Sequence, residues 1–165
     1  MQTELVIHPE RLREIPQVFE GDLDLEEFPR LAESLAEGGA SLHYRVTAYL
    51  DKQRRKVVSC IIEGFVFLTC QTSLDTFRHE IAINDRLVLV DSEEQLPAIG
   101  EESDAEDYLV ADGPLDIRDL VEDAVLLALP MVPRKPGLEE APAAGGEVEH
   151  QPSPFAALAG LKRKE

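Results

Sequence analysis

The chain has 165 residues and a mass of 18.3 kDa, which suits one ordinary domain with its own core plus a tail and is too little for two domains of typical size. Its 33 Asp and Glu outweigh 16 Lys and Arg, and the formal net charge of −17 disfavours a nonspecific grip on nucleic acid, so any contact with RNA has to be local or pass through a basic protein. No apolar run approaches ~18 residues and no charged-then-apolar leader opens the chain; with only two cysteines, a membrane span, a secretory signal and a disulfide framework are all unsupported, and a reducing, cytoplasmic setting is expected.

In chain order, Thr3–His8 alternates weakly and stops at Pro9, predicting a short strand that passes into a turn or brief helix over Glu10–Ile15. Leu25, Phe28, Leu31, Ala32 and Leu35 share one helical face, and Gly38 and Gly39 supply a stop, predicting a helix over Leu25–Ala36. From Leu42 the period becomes two: Tyr44, Val46, Ala48 and Leu50 fall on one face and His43, Arg45, Thr47 and Tyr49 on the other. A polar, basic turn over Asp51–Lys56 then leads into a second β-rich run, Val57–Cys70, so the two runs form an antiparallel hairpin, with Gly64 marking a bend or bulge. Phe77–Ile83 and Arg86–Val90 continue the β pattern around a turn at Asn84 and Asp85.

Between Asp91 and Asp107 eight acidic residues occur with no Lys or Arg, and with Pro97 and Gly100 they predict a solvated, mobile loop. Pro114 and Asp116 open a helix over Leu115–Leu129 whose apolar face is Ile117, Leu120, Val121, Ala124, Val125 and Ala128, ending near Pro130. Beyond Pro133 the composition turns to Pro, Gly, Ala and Glu. The organisation read from this is an α+β domain over 1–133, a disordered linker over 134–154 and an interaction segment over 155–165. The fold expected is an antiparallel sheet, curled toward a partial barrel, with the C-terminal helix packed on it and a disordered tail.

Few residues suggest chemistry. Cys60 and Cys70 sit ten apart in one strand, about 33 Å if it is straight, and share the parity of Val58, Ile62, Val66 and Leu68, which makes them small buried hydrophobes and not a ligand pair. His8, His43, His79 and His150 have no ligand spacing, and the acidic loop lacks the ordering of a calcium loop. No metal, cofactor or small-molecule substrate is assigned, and no phosphate loop or nucleophile elbow points to an enzyme. The cations are more informative, because seven of the sixteen fall in two places: Lys52, Arg54, Arg55 and Lys56 in the hairpin turn, and Lys162, Arg163 and Lys164 at the end. The first cluster either contacts RNA or protects strand ends from edge pairing. Ahead of the second, Phe155, Leu158 and Leu161 stand at helical spacing after a linker, the pattern of a segment that folds on a partner.

Three stretches carry a family resemblance: EGFVFLTCQTSLD over Glu63–Asp75, LDIRDLVEDAVLLALPMVP over Leu115–Pro133, and SPFAALAGLKRK over Ser153–Lys164. Together they resemble the YceD family of bacterial large ribosomal RNA subunit accumulation proteins, the ending being similar to proteobacterial members. The resemblance implies a role in the synthesis, processing or stability of 23S ribosomal RNA and in large-subunit assembly. Many such relatives have Cys-Gln-x-Cys where this chain has Cys70, Gln71, Thr72 and Ser73, and proteobacterial ones tend to have histidine where it has Lys135. The function expected is therefore a non-enzymatic ribosome-biogenesis factor whose partner is large-subunit RNA, a basic large-subunit protein or a precursor particle. The alternative is an acidic chaperone or adaptor for a basic protein outside the ribosome.

Overall fold

The computed structural model describes residues 5–98 and 106–137. Its framework is a five-stranded sheet in the order β2-β3-β4-β5-β6, made of β2 (Gln17–Asp22), β3 (Ala40–Leu50), β4 (Lys56–Thr69), β5 (Thr76–Val90) and β6 (Asp107–Val110). The first four strands pair antiparallel, and β6 pairs parallel to β5. A second, two-stranded sheet joins β1 (Val6–Ile7) antiparallel to β7 (Leu115–Asp116). The architecture is α+β, as expected; the main sheet is open and does not close into a barrel.

Period-two patterning places the core. Leu42, Tyr44, Val46 and Ala48 of β3 align with Val58, Cys60, Ile62 and Val66 of β4 and with Ile81 and Ile83 of β5, all buried on one face of the sheet. That face is covered by α1 (Pro29–Ser34) and α2 (Ile117–Ala128), which contribute Leu31, Ile117, Val121 and Val125, and by Phe28 just ahead of α1. At ~25 cal/mol per Å² of apolar surface, each fully buried Ile, Leu or Phe side chain stabilises the fold by roughly 1.5–3 kcal/mol before entropy is counted. On the opposite face His43, Arg45, Ile61, Glu63, Arg78, Glu80 and Asn84 are exposed or partly exposed, whereas Val57 and Val88, near the β3–β4 turn, are buried. There the cross-strand partners Glu20 and Arg45 form an ion pair at 2.8 Å, and Asp22 accepts from His43 at 2.9 Å.

The helix in the C-terminal half forms where it is expected. Asp116 caps it by accepting from the Arg118 N–H, and Pro130 keeps Leu129 extended and stops it. The earlier helix is shorter than its apolar spacing predicts. Leu25–Glu27 is a separate 3-10 turn, and α1 begins at Pro29, whose ring is acceptable at the first helical position but breaks a helix in its interior.

Three more expectations are corrected. Asn84 and Asp85 do not turn: β5 runs through them for 15 residues, with Asp85 opposite Cys60 and Asn84 opposite Ile61. Gly64 is not a bulge, since the register continues unbroken on both sides; it has φ +140°, and a Cβ there would overlap the Ser41 carbonyl oxygen. Finally, β2 and β6 complete the sheet at segments where no strand is predicted. The compact unit runs through Lys135, with Arg134 and Lys135 inside it, and Pro136 begins a second unit of which residues 136–137 are described.

Candidate functional site

The hairpin turn predicted as a basic cluster divides into two kinds of cation. Lys52 and Arg54 are exposed at the tip. Arg55 and Lys56 are paired internally: Lys56 Nζ lies 2.5 Å from Asp91 Oδ1, and Arg55 donates from Nε to Asp51 at 2.8 Å and from Nη1 to Glu106 at 2.9 Å. The turn is built by Asp51, whose Oδ1 accepts from the Gln53 and Arg55 N–H groups, both at 2.9 Å. This places Arg54 in the left-handed region at φ 61° and aims the Arg55 guanidinium back across the sheet.

Two residues that the sequence does not single out complete the arrangement. Arg86 of β5 donates from Nε to Glu106 Oε1 at 2.8 Å and from Nη1 to the Tyr49 hydroxyl at 2.8 Å. Glu106, one residue before β6, thus lies between two guanidiniums, and both hold its carboxyl below the ordinary carboxylate range, Arg55 more than Arg86. Burial opposes ionisation of Asp51, but the N–H and guanidinium of Arg55 with the Gln53 N–H still hold it below that range. Glu106 in turn raises both arginines, most directly through its hydrogen bonds. Glu14, Tyr49, Lys52, Arg55 and Arg86 line an open cleft of about 650 Å³ beside this cluster.

A second constellation surrounds Cys70, just past the end of β4. Its sulfur accepts from the Ser73 N–H at 3.5 Å and the Lys135 N–H at 3.4 Å, while the Gln71 N–H donates to Pro133 O at 2.9 Å. Ser73 and Lys135 therefore meet at one sulfur. The Ser73 hydroxyl, then the Ser73 and Lys135 N–H groups, hold the Cys70 thiol down to about 6. Burial, with Asp85 adding to it, pushes the Cys60 thiol up to about 12. Both cysteines are buried, as their strand parity predicts. Among the described residues, no group of three or more His, Cys, Asp or Glu stands close enough to hold a metal ion.

The other predicted site residues, Phe155, Leu158, Leu161, Lys162, Arg163 and Lys164, lie outside the described residues. Among the described residues, no helix is long and apolar enough to cross a membrane.

Fold and site together define an acidic α+β protein that covers one face of its sheet with helices and gathers ion-paired and exposed cations at one hairpin end of it. Comparison with known proteins makes the class specific. Residues 58–162 match the family described as large ribosomal RNA subunit accumulation protein YceD, and the chain belongs to that family. A protein of Haemophilus influenzae named large ribosomal RNA subunit accumulation protein YceD is 28% identical over 146 residues, covering 82% of this chain and 82% of its own. No solved structure matches the chain.

Proposed function

We propose that this protein is a non-enzymatic, cytoplasmic ribosome-biogenesis factor that supports the synthesis, processing or stability of 23S ribosomal RNA and thereby large-subunit assembly. The observation that carries this reading is the family match, which extends from β4 through α2 to Lys162. The relative named for large ribosomal RNA subunit accumulation agrees with it over most of both chains. Charge favours a binding role of limited area. With a net charge of −17, attraction to RNA or to a ribosomal precursor has to come from local cations, and Lys52 and Arg54 are exposed for it.

The tail is the second contact in this proposal. Phe155, Leu158 and Leu161 seat in a groove of the precursor particle, and Lys162, Arg163 and Lys164 meet phosphate or an acidic rim. Crosslinking in cells, followed by identification of bound RNA and protein, tests the reading. Large-subunit RNA or a large-subunit protein is expected, with recovery reduced when Ser153–Glu165 is deleted and the melting temperature nearly unchanged. Recovery of a basic protein unrelated to ribosomes would instead favour the adaptor reading, and undiminished recovery by the truncated chain would remove the tail from it.

A further inference from the structure

We propose that Arg55 and Arg86 form a phosphodiester-binding cradle on the open sheet face, and that the Glu106 carboxylate occupies it as a built-in competitor. For the class of its ligand this rests on the ribosomal-RNA reading given above.

Three donors converge on the two oxygens of Glu106. Arg55 Nη1 reaches Oε2 at 2.9 Å, Arg55 Nη2 reaches Oε1 at 3.2 Å, and Arg86 Nε reaches the same Oε1 at 2.8 Å. A planar carboxylate held by the Arg55 fork and by one N–H of Arg86, with one oxygen taking two donors, sits where a tetrahedral phosphate with two free oxygens would also be accommodated. The donors are fixed from behind. Asp51 locks Arg55 through Nε and the turn amides, and the Tyr49 hydroxyl accepts from Arg86 Nη1, so both guanidiniums keep their aim when Glu106 leaves.

Access and charge support exchange. Arg55 and Arg86 are 33% and 35% exposed at the side chain, the adjoining cleft is open, and Lys52 lines it. Glu106 comes from a different segment than either arginine, one residue before the short edge strand β6, so it can withdraw without disturbing the β3–β4 or β4–β5 ladders. With Glu106 in place, Arg55 and Arg86 are matched by Asp51 and Glu106. Its withdrawal raises the local formal charge by one, beside the exposed Lys52 and Arg54. A resident carboxylate of this kind raises the threshold for binding: an isolated phosphate displaces it poorly, whereas a strand whose neighbouring phosphates also meet Lys52 and Arg54 displaces it well.

The test is fluorescence anisotropy with a labelled single-stranded oligouridylate at about 50 mM salt, using the full chain. Glu106→Gln is expected to tighten binding on the order of fivefold and to steepen its salt dependence. Arg86→Lys, which keeps the charge and loses the guanidinium anchored on Tyr49, is expected to weaken binding and to cancel the gain when combined with Glu106→Gln. Melting curves check that each variant is folded at the assay temperature, and Arg86→Lys provides the reading if Glu106→Gln is not. Affinity unchanged or reduced in folded Glu106→Gln, or unaltered by Arg86→Lys, overturns the cradle. So does an oligoglutamate peptide that gains affinity from Glu106→Gln while the RNA does not, since the ligand is then a protein carboxylate. These outcomes are independent of ribosomal RNA levels in cells. Loss of the cradle leaves the wider reading standing, and a functioning cradle in a protein whose depletion leaves ribosomal RNA unchanged removes the wider reading alone.

Discussion

Glu122 is the side chain whose removal should cost the fold most for its size. It lies on α2 with only 4% of its surface exposed, and it reaches across to α1, where Oε1 accepts from the buried Leu31 N–H at 3.0 Å and Oε2 from Arg30 Nε at 2.7 Å. It therefore acts as the N-terminal cap of α1 from another helix, in place of a cap by Phe28, whose side chain makes none. In Glu122→Ala the Leu31 N–H is left buried without an acceptor, at about 1–3 kcal/mol. Arg30 is half exposed, keeps its ion pair with Asp123 and can return to water, so the loss of its bond to Glu122 contributes little. Removing the buried methylene adds about 1 kcal/mol. The expected loss is about 3 kcal/mol, equivalent to a fall in melting temperature of about 10 °C for a domain of this size. Glu122→Gln keeps an acceptor for Leu31 and should lose about 1 kcal/mol. Urea and thermal unfolding followed by circular dichroism would measure both. A Glu122→Ala variant within about 0.5 kcal/mol of the parent would refute the assignment, because that is the range of an ordinary surface substitution.

Two further predictions concern the sheet and its end. Gly64→Ala should destabilise by more than about 3 kcal/mol or prevent folding, since the Cβ meets Ser41 backbone within the β3–β4 ladder and no side chain can yield; native-like melting would show that β3 can shift there. Because the folded Cys70 thiol is held down to about 6 against an ordinary value near 9, the folded state binds fewer protons than the unfolded one between those values. Cys70 stabilisation should thus be fully present above about pH 9 and be lost as pH falls through about 6, and Cys70→Ser should flatten that dependence. Thiolate ultraviolet absorbance during titration checks the thiol directly, and an ordinary titration near 9 would remove the effect.

The parts of the fold legible in the sequence are those in which one periodicity persists over many residues. Tyr44, Val46 and Ala48 alternate strictly because one face of β3 is core and the other is exposed, and Ile117, Val121 and Val125 repeat at helical spacing because α2 buries a single stripe. β2 fails that test. Val18 is 54% exposed and Gly21 contributes no side chain, its place being filled by the Tyr44 ring, so an edge strand with half-buried inner positions shows no alternation. β6 has four residues and follows an acidic run, too short to show a period. Asn84 and Asp85 read as a turn because polar pairs favour turns locally, yet long-range pairing with Cys60 and Ile61 determines their conformation. The site is half legible for a similar reason. Lys52 and Arg54 are adjacent in sequence and visible as a basic cluster, but whether Arg55 and Lys56 are free depends on Glu106 and Asp91, which only the folded sheet brings near. Arg86 and Tyr49 had no local signal at all: each is one polar residue in a β run, made part of the site by its register across β4.

The most direct measurement of the proposed function is the amount of mature large-subunit ribosomal RNA relative to small-subunit RNA in cells depleted of this protein, at normal and at low growth temperature. A reduced ratio, restored by the full chain, is the predicted result. An unchanged ratio under both conditions, with depletion verified, would contradict the assignment of this protein to large-subunit RNA accumulation.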